Sequence, residues 1–325
     1  MKVLVIGAAG MVGRKLVERL ARDGALGGTK IDGMDAVDIV VPTPPAAPFP
    51  IATDACDIAA LYVPEKLVQG RPDVIFLLAS IVSGEAEADF AKGYAINLDG
   101  TRMIYDAIRR EHAASGGAYK PRLVFTSSIA VFGAPFPDKI DDEFFTTPLT
   151  SYGTQKAICE LLLNDYSRRG FFDGIAIRLP TICVRPGKPN KAASGFFSNI
   201  IREPLAGKPA VLPVDDSVRH HHASPRAAIG FLLHAATLDL GPLGWRRALT
   251  MPGVSVTVAE QIEALRQEAG EKAVALIRRE PDETIQRIVQ GWPRQFEAAR
   301  AEKLGFKAET DFRAIIRAHI EDEHA

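Results

Sequence analysis

The chain opens on Lys2-Val-Leu-Val-Ile6, a short β-rich run that breaks directly into glycines at positions 7, 10 and 13. An amphipathic stretch follows over residues 11–22, with Val12, Leu16, Val17 and Leu20 on its apolar side. A β-rich run giving way to a helical period across glycines reads as strand, tight turn, helix. In Gly7-Ala-Ala-Gly10-Met-Val-Gly13, residues without Cβ stand where the backbone turns and where a pyrophosphate can approach it. The helix start beyond them offers free N–H groups and a favourable dipole. Short glycine patterns also occur in plain turns, but this one sits at the start of a βαβ unit, the context a dinucleotide requires. Gly7, Gly10, Met11, Val12 and Gly13 are therefore expected to hold the cofactor phosphates.

The same alternation continues. Strands are expected over residues 32–41, 74–78, 122–127 and 174–179, and helices over 89–111 and 151–169, with a proline-rich loop at 42–50. Strands alternating with helices imply an α/β Rossmann fold, a doubly wound parallel sheet, here an NAD-binding domain over residues 1–180. Beyond Thr181 prolines and glycines break the pattern, with helices expected at 258–268, 282–289 and 293–303. A smaller C-terminal substrate-binding domain over 181–325 is expected, with room for a segment that returns to the sheet. A length of 325 residues suits two modest domains or one large one.

Composition narrows the function. A formal net charge of -1 offers no field for nucleic acid or an anionic membrane, so neither is expected as a partner. No run approaches the roughly 18 apolar residues of a membrane span, and the first apolar run is too short for a signal peptide. Cys56, Cys159 and Cys183 are far apart, which argues against a disulfide framework or a zinc site. A cytoplasmic protein is expected.

Asp38 ends the second expected strand. An acid there accepts hydrogen bonds from the adenosine ribose and repels a 2′-phosphate, which favours NAD over NADP. Asp35 competes for the role, and a solvated loop aspartate is the plain alternative. Asp57-Ile58, after the proline loop, is a weaker candidate for adenine contact.

Tyr152-Gly-Thr-Gln-Lys156 places phenol and amine four residues apart on one helix face. Oxidising an alcohol needs a base for the hydroxyl proton as hydride leaves. A tyrosine titrating near 10 is too weakly ionised for that at neutral pH, and a nearby ammonium lowers the value. Such a pair is often surface decoration, and its force here comes from position. Upstream, Leu123-Val-Phe-Thr-Ser127-Ser128 is an apolar strand ending in hydroxyls, where a serine can bond the reacting oxygen.

Gly7-x-x-Gly10-x-x-Gly13, Asp57-Ile58, Leu78-Ala79-Ser80, Asn97-x-x-Gly100-Thr101, Ser127-Ser128, Tyr152-x-x-x-Lys156 and Arg178-Leu-Pro180-Thr181 occur in this order. Together they resemble the extended short-chain dehydrogenases/reductases of the epimerase/dehydratase type, from Lys2 to about Gly187. The resemblance implies that Tyr152 is the acid/base, Lys156 its partner and ribose ligand, and Ser128 the ligand of the substrate oxygen, with Ser127 able to exchange with it. It implies that Leu78 and Ala79 line the NAD ribose, that Pro180 to Ile182 flank the nicotinamide, and that Asn97 and Ser127 belong to the cofactor site. Ser80 and Thr181 would touch substrate. A homodimer is implied.

Nucleotide-sugar members of that family carry Arg-x-Phe-Ile/Val-His/Tyr-Val-x-Asp late in the chain. Here the stretch is Arg219-His-His-His222-Ala-Ser-Pro-Arg226, without the acid. Together with residues 246–260, it resembles instead dehydrogenases that oxidise the C2 hydroxyl of a four-carbon sugar acid. A sugar-acid substrate needs a carboxylate ligand, and arginine's planar fork suits one. Arg178, Arg185 and Arg219 are candidates, with Arg185 and Arg219 favoured by their place in the substrate half; a structural ion pair is the alternative for each. In His220-His221-His222 only His220 and His222 share a strand face, and no carboxylate at a matching spacing completes a metal site, so none is expected. A nucleotide-sugar epimerase or dehydratase, an enzyme like L-threonine dehydrogenase, and an NAD-sensing regulator remain as alternatives.

Overall fold

The computed structural model describes residues 1–187 and 193–323. In chain order it runs β1 (Lys2–Ile6), α1 (Met11–Asp23), a small hairpin of β2 (Ala25–Leu26) and β3 (Thr29–Lys30), β4 (Gly33–Asp38), β5 (Ile51–Ala55), α2 (Val63–Gln69) and β6 (Val74–Leu77). Two short helices, α3 (Ser83–Ala88) and α4 (Phe90–Gly93), lead through a π-helical turn (Tyr94–Gly100) into α5 (Thr101–Ala114). Then come β7 (Arg122–Ser128), α6 (Ser151–Arg168), β8 (Asp173–Leu179), β9 (Thr181–Ile182), α7 (Gly195–Leu205), β10 (Ala210–Leu212), β11 (Arg219–Ala223), α8 (Pro225–Thr237) and β12 (Ala248–Thr250). The chain closes with β13 (Val254–Thr257), α9 (Val258–Ala269), α10 (Glu271–Val274), β14 (Ile277–Arg279), α11 (Glu283–Gln290), α12 (Ala299–Lys303) and α13 (Phe312–Glu323).

These elements form two compact units that interleave in sequence. The first comprises residues 1–128, 150–178 and 229–249; the second comprises 129–149, 179–228 and 250 onward. The first carries a seven-stranded sheet in the order β12-β8-β7-β6-β1-β4-β5. The pairs β5–β4, β4–β1, β1–β6 and β6–β7 are parallel. Strand order reverses between β1 and β6, the switch point at which Rossmann sheets take dinucleotides. β1, β6 and β7 are almost wholly buried because helices cover both faces, which is why they read as unbroken apolar runs. Leu4, Ile6, Ile75, Leu77, Leu123 and Phe125 pack there with Ile104, Tyr105 and Ile108 of α5 and Leu163 of α6. Between 229 and 249 the chain returns to this unit, and β12 extends the sheet beside β8.

The second unit has its own core, with Phe197, Ile200 and Ile201 of α7 against Val258, Ile262 and Leu265 of α9 and Ile315 and Ile316 of α13. Its small sheet runs β13-β11-β9.

Local signals misplace three stretches. The single helix expected over 89–111 is divided by the π-helical turn at Tyr94–Gly100. The strand expected over 32–41 stops at Asp38, and Ile39, Val40 and Val41 are exposed. The helix expected over 293–303 forms only at Ala299–Lys303. Ahead of it the backbone pairs with Ile140: Ile140 N–H donates to Gln295 O at 2.9 Å and Glu297 N–H donates to Ile140 O at 2.8 Å.

Candidate active site

The glycines of the first turn answer different needs. Gly7 sits at φ +96°, and a Cβ there would lie 2.5 Å from the Ala79 nitrogen. A Cβ on Gly13 would lie 2.0 Å from Gly7 O, so α1 can start this close to β1 only with glycine at that position. Gly10 is under no such constraint, since its Cβ would meet Gly7 O at an ordinary 3.5 Å. Close approach of a ligand is the remaining reason for glycine there. Among the described residues no side chain caps α1 at Gly10, and its first turn holds no acid. The N–H groups of Met11, Val12 and Gly13 are thus available to a phosphate. These features fit the pyrophosphate of NAD.

Asp38 closes on this turn. Its Oδ2 accepts the N–H of Ala9 at 2.9 Å and of Gly10 at 3.3 Å, and its Oδ1 accepts that of Ile39 at 2.6 Å. Asp35 lies exposed in mid-strand, in register with Leu4 and Ala52. Asp38→Ser is expected to narrow the preference for NAD over NADP about tenfold, the equivalent of about 1.4 kcal/mol. The ratio of kcat/KM for the two cofactors measures it, and an unchanged ratio would transfer the discrimination elsewhere.

The loops at the other strand ends are tied to the same region. The N–H groups of Leu78 and Ala79 both donate to Ile6 O, at 2.8 and 3.0 Å. Asp57 accepts the Ala59 N–H at 2.9 Å. Ile58 is buried over Gly100, where a Cβ would lie 2.8 Å from its Cγ1. Asn97 is a buried clamp: its Oδ1 accepts the Ile81 N–H at 2.9 Å and lies 3.0 Å from Ser80 Oγ, and its Nδ2 donates to Gln155 Oε1 at 2.8 Å. It fixes the Ser80 loop against α6, through polar residues scattered too widely in sequence to be read as a unit.

α6 starts where Thr150 Oγ1 accepts the Gly153 N–H at 3.0 Å, which puts Tyr152 in its first turn. One turn on, Lys156 is completely enclosed. Its Nζ donates to Thr126 O at 2.9 Å and stands 5.6 Å from the centre of the Tyr152 ring. Burial pulls the lysine down to about 8. A protonated amine one helical turn from a half-buried phenol is the arrangement acid/base chemistry on an alcohol requires.

One more turn along α6 stands Glu160. It accepts the Ser127 hydroxyl at 2.6 Å and pairs with both arms of the Arg178 fork, at 2.9 and 2.7 Å. Ser127 and Ser128 leave β7 on opposite sides. The Ser127 hydroxyl is buried against Glu160, whereas Ser128 is half-buried, two residues beyond the carbonyl that holds Lys156. The fork of Arg178 is held by this buried carboxylate. The i, i+4 spacing of Tyr152, Lys156 and Glu160 is a signal in the sequence from which that partner could have been found.

The remaining candidates lie in the second unit. Pro180 is buried; Thr181 and Ile182 form β9, in register with His222 and Ala223. Arg185 donates from Nε to Ile182 O at 3.1 Å and from Nη2 to Ser194 Oγ at 3.1 Å. Arg219 donates from Nη1 to Ser255 O at 2.7 Å and stands 3.2 Å from the Glu260 carboxylate. His220, His221 and His222 are all buried, and burial pushes all three below the ordinary histidine value. Among the described residues no three His, Cys, Asp or Glu side chains group as metal ligands, and no helix is long and apolar enough to cross a membrane.

The switch-point sheet, the glycine turn and the Tyr–Lys helix define a Rossmann-type oxidoreductase. The profile of the NAD dependent epimerase/dehydratase family matches residues 3–221, and the chain belongs to that family, with NAD as its cofactor. It is 41% identical over 321 residues to the D-erythronate dehydrogenase of Haemophilus influenzae, covering 99% of both chains. It is 42% identical over 331 residues to that of Cupriavidus necator, covering 99% of this chain and 98% of the other. A solved structure described as a nucleoside-diphosphate-sugar epimerase from Agrobacterium tumefaciens is 65% identical, with a TM-score of 0.97 over 100% of this chain and 94% of that one.

Proposed function

We propose that the protein oxidises the C2 hydroxyl of D-erythronate to the 2-keto acid, working as a cytoplasmic homodimer with the first unit holding cofactor and the second holding substrate. The observation that carries this reading is similarity over almost the whole chain to two D-erythronate dehydrogenases. Tyr152 takes the hydroxyl proton, with Lys156 stabilising its phenolate and binding the nicotinamide ribose. Ser128 bonds the reacting oxygen; its half-buried place at the end of β7 supports it over Ser127, which is buried. NAD, held at the glycine turn and by Lys156, would supply the hydride acceptor for C2. Arg185 and Arg219 are the proposed carboxylate ligands, with Ser80 and Thr181 completing the substrate contacts. The Arg219 fork is already engaged by Ser255 and Glu260, so it would meet substrate with its orientation set.

The 65% identical structure described as an epimerase favours a second reading, in which a nucleotide sugar is interconverted and NAD is regenerated in each turnover. One assay separates the two. With D-erythronate and excess NAD, the absorbance of NADH is expected to rise in proportion to the acid consumed, and UDP-glucose is expected to produce none. Interconversion of a UDP-sugar without net NADH, together with inertness toward D-erythronate, would replace the first reading with the second.

A further inference from the structure

The Thr181 hydroxyl lies 2.7 Å from His220 Nε2, and the other ring nitrogen, Nδ1, lies 3.1 Å from Pro293 O. A proline carbonyl can only accept, so Nδ1 carries a hydrogen. The ring sits stacked on Phe197 at 5.2 Å with 3° between planes, and beside Trp292. Burial holds it down to about 3, so at working pH it is neutral and carries one ring hydrogen only. Nε2 is then a bare lone pair, and the hydroxyl facing it must donate. Thr181 itself is half-buried on a two-residue strand. Its one hydrogen is spent inward on His220, and toward any ligand it presents oxygen lone pairs.

We infer that His220 is a positioning residue that makes Thr181 an acceptor-only contact. That contact takes an O–H or N–H group of the bound ligands and turns away a carboxylate oxygen. The inference rests on the proposed reading for its placement of Thr181 beside substrate and nicotinamide. It also deepens that reading, because a sugar acid would have to present a hydroxyl here and direct its carboxylate to the arginines. Two groups share the required chemistry: a substrate hydroxyl beyond the reacting carbon, and the carboxamide NH₂ of the nicotinamide.

Four variants test it, with KM and kcat for the sugar acid and NAD affinity by calorimetry measured separately. Thr181→Val removes the acceptor. His220→Phe keeps the stacked ring and removes Nε2. His220→Gln restores both bonds, since its amide oxygen can accept from Thr181 and its NH₂ can donate to Pro293. Thr181→Val and His220→Phe are each expected to weaken one ligand by about tenfold, in KM rather than kcat for the substrate case, as loss of one hydrogen bond does. Loss confined to the sugar acid assigns the contact to its hydroxyl, and loss confined to NAD assigns it to the carboxamide. His220→Gln should recover most of the loss, and the double variant should be no worse than Thr181→Val alone. Fully additive losses, or a His220→Phe enzyme that binds both ligands normally, would overturn the inference. A measurement on the unaltered protein stands apart from any substrate: ¹⁵N-histidine NMR, with His220→Gln identifying the signal, should show Nδ1 protonated. An Nε2-protonated ring overturns the polarity argument, whereas an Nδ1-protonated ring in an enzyme inert to D-erythronate means that only the substrate reading has failed.

Discussion

Tyr152→Phe is expected to lower kcat by about 10²–10⁴-fold, the usual cost of removing a general base, while NAD still binds. The substitution deletes one oxygen. The ring stays in the first turn of α6, where Thr150 caps the helix and the Lys156 ammonium stands 5.6 Å from the ring centre. Lys156 keeps its bond to Thr126 O, so the proposed ribose contact is undisturbed. Lys156→Ala, by contrast, should damage both rate and NAD affinity, because that amine is proposed to serve proton and ribose together. Titration of NAD alongside single-turnover rates separates the two patterns. A Tyr152→Phe enzyme within a few-fold of normal rate would move the proton transfer to another group.

The second large effect concerns acid. His220, His221 and His222 are buried, and desolvation pushes His220 down to about 3, His221 to about 4 and His222 well below the ordinary value. Above about 6.5 both the folded and unfolded chains hold these rings neutral, and no stability is at stake. Below that value the unfolded chain takes up protons that the folded one refuses, so stability falls as pH falls, down to about 4 for His221 and about 3 for His220. Each ring contributes about 1.4 kcal/mol per pH unit in this window. Between about pH 6.5, where the unfolded rings are half protonated, and about pH 5, three rings together remove about 5 kcal/mol, comparable with the whole stability of many domains. Urea unfolding at a series of pH values should show the midpoint dropping steeply below about pH 6, and His221→Gln should reduce that slope by about one third. A midpoint unchanged between pH 7 and 5 would mean that the rings charge within the fold.

Much of the first unit is legible in the amino-acid sequence. β1, the glycine turn and α1 are adjacent along the chain, and each leaves a mark in its own residues: an apolar run for a doubly covered strand, glycine at 13 where α1 starts against Gly7 O, a helical period for α1. The Tyr152–Lys156 pair is legible for the same reason, since one helical turn fixes their shared face. β5 is not. Ile51-Ala-Thr-Asp-Ala55 is half-exposed and has no apolar run, and it is a strand because β4 pairs with it. Residues 293–298 have composition enough for a helix, yet their backbone is drawn to Ile140, more than 150 positions away in the chain.

The sequence alone determined what neighbours along the chain can settle: the parallel-sheet architecture, the glycine turn, the acid at the end of β4 and the Tyr–Lys spacing. Tertiary structure decided what depends on partners that no spacing predicts. It gave Ser127 and Arg178 to Glu160, engaged the Arg219 fork with Ser255 and Glu260, and buried three consecutive histidines as neutral rings. The physical reason is that a polar side chain's role follows from who takes its hydrogens and from how much water it loses. For His220 both answers come from residues about forty and seventy positions away, Thr181 and Pro293.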